Sequence, residues 1–241
     1  MTAWKRLEFV DFLRGVAVIL MLIYHVFFDL SYFNKISLNS LFWYFFPRFI
    51  GGMFIFISGI SLTLARRKYG KRLLVASVKR GIKFFCLGLL ITIITLPTRC
   101  YVRFGILHFF GIAVILGSFF SAFRVLSLLA GFALILTGIT IQNVGVANKY
   151  AFWLGFKPKI CMLDYYPLLP WFGFMLIGIA IGNSLNLDLK IPKILRPITL
   201  LGRKSLLIYL IQHPLILLLM QAYYGDVFEQ IASMVLTFWS D

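Results

Sequence analysis

Residues 7–30 read Leu7-Glu8-Phe9-Val10-Asp11-Phe12-Leu13-Arg14-Gly15-Val16-Ala17-Val18-Ile19-Leu20-Met21-Leu22-Ile23-Tyr24-His25-Val26-Phe27-Phe28-Asp29-Leu30. The stretch is apolar enough, and longer than the ~20 residues needed, to cross a bilayer as a helix. It nevertheless carries Glu8, Asp11, Arg14, His25 and Asp29. At ~100° per residue Asp11 and Asp29 share one angular position, and Arg14 and His25 differ by about 20°. The five ionisable groups fit on one half of the helix, and Leu13, Val16, Leu20 and Phe27 form the opposite face. His25 and Asp29 are an i, i+4 pair, close enough to touch. An ionisable group in the membrane core costs at least ~2.5 kcal/mol, so such groups face a bundle interior or a wet cavity. Glu8, Asp11 and Arg14 also fit a purely structural ion network near the membrane surface. A carboxylate beside a histidine orients the imidazole and keeps it basic, as a general base requires. The stretch is too long for a signal peptide and lacks a small-residue cleavage site, so it is expected to remain as the first helix.

Apolar runs of similar length recur along the chain. Of its 241 residues 61% are hydrophobic, and the mean hydropathy is +0.93. This composition cannot supply the polar surface of a soluble domain, and it lacks the alternation of a β-barrel. The expected fold is an all-α polytopic membrane helix bundle with about seven transmembrane helices, a single domain over 1–241. The spans are placed at 9–31, 41–65, 82–97, 104–121, 123–141, 168–184 and 200–221. The third is short and extends back through a basic amphipathic stretch at 71–81 if it is to cross. Segment 227–239 is apolar but carries Glu229, and fits either an interfacial helix or a partial eighth span. No internal repeat is visible.

The net charge of +16 would suggest nucleic acid in a soluble protein. Here the bases fall between apolar runs, where topology and anionic headgroups account for them. Lys5, Arg6, Arg66, Arg67, Lys68, Lys71, Arg72, Lys79, Arg80, Lys83, Arg124, Lys190, Lys193, Arg196, Arg203 and Lys204 fall on one set of sides. Lys35, Arg99, Arg103, Lys149, Lys157 and Lys159 fall on the other. The excess places the N-terminus in the cytoplasm of a cell membrane and the 142–167 loop outside. Arg14 and Arg48 lie inside spans. Cys86, Cys100 and Cys161 show no paired or metal spacing, and Cys86 reads as a small buried hydrophobe.

On this topology His25, His108 and His213 all fall in the central-to-outer layer, with Asp29 and Arg48, and suggest a shared polar cavity. No metal-ligand motif is present, so no metal is expected.

Five stretches together resemble the catalytic domain of the heparan-alpha-glucosaminide N-acetyltransferase family. They are Arg6–Leu30, Phe56-Ile57-Ser58-Gly59-Ile60-Ser61, Phe104–Gly111, Pro170-Trp171-Phe172-Gly173, and Leu201-Gly202-Arg203-Lys204-Ser205 through Tyr209 to His213-Pro214. Arg14 and His25, with ten residues between them, also resemble the wider transmembrane acyltransferase superfamily. The resemblance implies transfer of an acetyl or other acyl group from cytosolic acetyl-CoA to an extracytoplasmic sugar or amino sugar. It implies that His25 is the catalytic base or a transient acyl carrier, and that Arg14 lies on the CoA path. The lysosomal member departs from this chain in carrying asparagine at the position of His25 and a luminal-loop histidine that has no counterpart here.

On that reading Asp29 polarises His25, Arg48 or His108 stabilises the oxyanion, and His213 binds acceptor or shapes the cavity. Arg14, Arg66, Arg67, Lys83, Arg203 and Lys204 are candidates for CoA, although positive-inside topology alone explains most of these bases. The expected partners are acyl-CoA, the acceptor, membrane lipid and at most a second copy in a homodimer, without nucleic acid. The rival class is a proton-coupled transporter of a small solute, in which buried Asp, Arg and His also serve.

Overall fold

The computed structural model describes residues 7–98, 100–144, 151–156, 161–184 and 189–240. Lys5, Arg6, Arg99, Lys149, Lys157 and Lys159, which enter the charge comparison, lie outside the described residues. The described residues form an all-helical bundle: α1 (Glu8–Tyr32), α2 (Leu41–Tyr69), α3 (Leu73–Thr95), α4 (Ile106–Phe120), α5 (Arg124–Val144), α6 (Leu168–Ser184), α7 (Arg196–Arg203), α8 (Ser205–Tyr224) and α9 (Val227–Ser240). Four helical stretches are long and apolar enough to cross a membrane: Glu8–Tyr32, Leu41–Thr95, Arg124–Gln142 and Ser205–Tyr224. Ile106–Phe120 and Leu168–Ser184 are apolar but shorter.

The third helix starts at Leu73 and takes in the basic stretch through which it was expected to extend, so Lys79, Arg80 and Lys83 ride on it. The apolar pattern begins late there because the basic residues dilute it, although they do not oppose helix formation. The expected 200–221 span is two helices, α7 and α8, separated at Lys204 (φ −105°, ψ 14°). Hydropathy does not register a one-residue break of this kind.

The chain divides into two compact units, Met1–Phe54 with Leu187–Asp241, and Ile55–Asn186. In the first, α1 packs on α7 and α8, and α8 on α9. The α1–α7 approach is backbone to backbone. A Cβ on Gly15 would fall on the Ile198 carbonyl, and one on Gly202 would fall on the Asp11 carbonyl. Above this crossing Val18, Met21 and Ile50 form a core with Leu201, Ile208 and Tyr209. Phe33, Ile216, Met220 and Val227 close the far end. There Lys35 Nζ donates to Asp226 Oδ2 at 2.6 Å and lies over the Tyr224 ring.

In the second unit α3 packs on α4 and α5 on α6. The core contains Ile55, Leu62, Phe109, Ala113, Met175, Leu176 and Ile179. The segments before α4 and before α6 are joined by a Cys100–Cys161 disulfide (Cα–Cα 5.1 Å). They also share a parallel bridge between Phe104 and Tyr165. Burial pushes the Tyr165 phenol up to about 12, so it stays neutral and donates to the Phe152 carbonyl. The disulfide pairs two cysteines whose spacing shows no pairing signature. A separation of 61 residues carries no local signature, and only the fold brings the two sulfurs together. Cys86 is exposed on α3 rather than buried, because Gly81 and Gly88 mark the packed face of that helix.

Removing the disulfide in a Cys100→Ser/Cys161→Ser variant is expected to cost ~2–4 kcal/mol. Cys86→Ser on the exposed face should stay within about 0.5 kcal/mol. Thermal unfolding in detergent measures both. The hydrogen bond from Lys35 holds the Asp226 carboxyl below its ordinary 3.8. Its stabilisation is therefore complete above pH 3.8 and is lost as pH falls through the lower folded value. Lys35→Met should remove that acid-side component from a series of thermal melts across pH.

Candidate functional site

The acid–base groups of the first unit gather at two levels of α1. At the lower level Asp11 is 1% exposed. Its Oδ1 accepts from Arg14 Nη1 at 3.3 Å, and its Oδ2 lies 3.4 Å from Arg203 Nε. The helical i, i+3 spacing supplies the first contact. The Gly15–Gly202 crossing supplies the second by bringing α7 against this turn. Both guanidiniums remain partly exposed, at 25% and 39%. A buried carboxylate thus holds two cations at the unit's surface, where an anion can approach them. Lys204, the next residue, is exposed.

At the upper level Asp29 is 4% exposed, and its Oδ2 lies 3.1 Å from His213 Nδ1. An ionised carboxylate only accepts, so Nδ1 is the protonated nitrogen of His213. The His213 ring stands nearly perpendicular to that of His25, with centroids 4.6 Å apart. His25 Nδ1 lies 2.8 Å from the Met21 carbonyl oxygen one turn back. A carbonyl also only accepts, so His25 carries its proton on Nδ1, and Nε2 has the lone pair. The Tyr24 ring packs edge-on to His25. The carboxylate therefore orients His213, a carbonyl orients His25, and the two imidazoles touch. About 16 Å of helix separates Arg14 from His25.

The other candidates are Arg48 of the first unit and four residues of the second. Arg48 is exposed on α2, stacks 3.6 Å over the Tyr44 ring and donates to the Tyr44 carbonyl. His108 belongs to the second unit and is 3% exposed. Its Nδ1 accepts from the Gly105 N–H at 3.3 Å and its Nε2 meets Thr92 Oγ1 at 3.5 Å. The ring fills the space over Gly88, so His108 caps α4. Arg66, Arg67 and Lys83 are exposed in the same unit, with Arg67 Nη2 donating to the Gly182 carbonyl at 3.4 Å. The sequence did not single out Gln212 as a site residue. It lies beside His213 and is 3% exposed, and a polar residue inside the apolar run of α8 was the signal for it. Among the described residues no three His, Cys, Asp or Glu side chains converge as a metal requires.

The Asp29–His213 bond is expected to contribute to folding. His213→Ala leaves a buried carboxylate without this partner and should cost on the order of 1–3 kcal/mol. An Asp29→Leu/His213→Leu pair, which removes both polar groups, should recover much of that loss in a detergent melt.

Comparison with curated proteins and with solved structures returns no match. The family model described as heparan-alpha-glucosaminide N-acetyltransferase, catalytic, matches residues 6–214. That range takes in α1 with Asp11, Arg14, His25 and Asp29, and α8 as far as His213. The chain belongs to the heparan-alpha-glucosaminide N-acetyltransferase catalytic-domain family, a family of membrane acetyltransferases.

Proposed function

We propose that the chain transfers an acetyl group from cytosolic acetyl-CoA to a sugar or amino-sugar acceptor on the outer side of the cell membrane, with His25 as general base. The observation that carries this reading is the orientation of the His25 ring. Nδ1 faces the Met21 carbonyl, which leaves the Nε2 lone pair to take a proton. His213, held by Asp29, borders it and carries the carboxylate's influence to the site.

In the transfer, the acceptor amine or hydroxyl attacks the thioester carbonyl as His25 Nε2 removes its proton. The tetrahedral intermediate collapses with cleavage of the C–S bond. The CoA sulfur leaves and takes the proton back from the His25 imidazolium, so the base is regenerated. The Asp29 carboxylate, one residue removed through His213, steadies the positive charge while it exists. Arg14 and Arg203, spread on Asp11, receive CoA phosphates, and Lys204 is a further candidate. The ~16 Å between Arg14 and His25 suits the reach of a pantetheine arm along α1.

In this reading α1 to α6 and α8 are the seven spans and the N-terminus is cytoplasmic. The disulfide supports that orientation. Cys100 and Cys161 sit on the side that the charge bias puts outside, and disulfides persist in oxidising compartments.

His25→Ala is expected to lower acetyl transfer by ~10²–10⁴-fold while preserving the thermal stabilisation that acetyl-CoA gives the wild type. Arg203→Ala should do the reverse, weakening the acetyl-CoA shift and sparing turnover at saturating donor. Full activity of His25→Ala in a radiolabelled acetyl-transfer assay would refute the role of His25.

A further inference from the structure

The packed stripe of α8 runs through Gln212, Ile216 and Met220, one turn apart. One turn below it, Ile208 packs on Val18 and Met21 of α1. At the other end Ile216 and Met220 pack with Phe33 and Val227. Gln212 therefore sits between two apolar clusters at the α1–α8 contact, next to the histidine that meets His25. It is 3% exposed, yet neither its Nε2 nor its Oε1 has a hydrogen-bond partner among the described residues. Asp29 and His25 at this level both have partners. A buried amide left unpaired at both ends lowers stability relative to an apolar side chain of the same shape. Methionine, of similar length and without those polar atoms, would avoid that loss.

We propose that Gln212 is the acceptor-recognition residue, engaging through both ends of its amide an adjacent amine and hydroxyl of an amino-sugar acceptor. The proposal rests on the acetyltransferase reading of His25. The acetyl thioester itself presents only accepting atoms and would satisfy Nε2 alone. The pantetheine amides of CoA carry both N–H and C=O, and the KM for acetyl-CoA in the test below separates them from the acceptor. An amine beside a hydroxyl offers both a donor and an acceptor, and so satisfies both ends of the amide. A site that pairs such a group rejects analogues lacking it, because its own polar atoms are then left bare.

The test compares wild type with Gln212→Met and Gln212→Leu in detergent, using acetyl-CoA with methyl α-D-glucosaminide and its 3-deoxy analogue. The expected result is a rise of about tenfold or more in KM for the glucosaminide, with KM for acetyl-CoA unchanged. Discrimination against the 3-deoxy analogue should disappear, and the ligand-free melting temperature should stay equal or rise. An unchanged glucosaminide KM overturns the proposal. So does a fall in melting temperature in both variants, which would make the amide a structural group bonded to water. Wild type that binds acetyl-CoA but does not acetylate the glucosaminide overturns the acceptor assignment. Wild type that neither binds acetyl-CoA nor transfers its acetyl group instead strikes the acetyltransferase reading itself.

Discussion

The crossing of α1 and α7 at Gly15 and Gly202 is the constraint on which the first unit depends. Neither position has room for a Cβ, because the Ile198 and Asp11 carbonyls occupy the space. Close approach of this kind is how membrane helices gain packing energy where hydrocarbon offers no hydrophobic drive between them. Once α7 lies on the first turns of α1, Arg203 reaches Asp11. The chain then turns at Lys204 and α8 rises along α1, which sets Ile208 and Tyr209 on Val18 and Met21. The same register puts His213 opposite Asp29. Two buried carboxylates, 18 residues apart on α1, are thus each matched to a group on the α7–α8 segment.

The second unit is held by similar means for a different purpose. Gly59 meets the Met175 carbonyl, and Gly173 of α6 meets the Gly131 carbonyl of α5. The Asp164 carboxylate accepts from the Ile106 N–H at 2.9 Å, which caps α4 from a distant loop where Gly105 has no side chain to do it. His108 adds its ring nitrogen to the same turn. Asp164 and His108 of this unit thus serve a helix end. In the first unit His25, Asp29 and His213 meet where α1 and α8 pack.

The amphipathic logic of α1 was legible in the sequence, because a helix has one period and 18 residues return to the same face. Hence Asp11, Arg14, His25 and Asp29 were correctly set on one face. The helical nature of the apolar runs was legible for the same reason. Contacts between helices were not legible. An i, i+4 spacing made Asp29 the natural partner of His25, but a side chain on a helix can equally turn to its neighbour. Asp29 turns to His213, 184 residues away. His25 turns to the carbonyl of Met21, a bond any helical histidine can make and no pattern announces. Similar depth also grouped His108 with His25, because depth follows from position along a span while the unit to which a span belongs does not. The Cys100–Cys161 bridge was hidden by the same loss of long-range information.

The exchange of partners at the upper level changes what the buried carboxylate can do. A carboxylate bonded directly to the base fixes the base's tautomer and shares its positive charge through one hydrogen bond. Here a neutral carbonyl fixes the tautomer of His25, and the carboxylate orients the neighbouring ring. With His25 as the proposed base, the two tasks of its supporting group, orientation and charge compensation, are divided between Met21 and the Asp29–His213 pair. The division also fixes the geometry more tightly, since the Met21 bond is internal to α1 while the His213 bond crosses to α8. A shift of α8 along α1 would separate His213 from Asp29 but leave the His25 tautomer intact. In the proposed mechanism the stability of the α1–α8 register, seated by Gly15 and Gly202 more than ten residues away, is therefore part of the acid–base machinery.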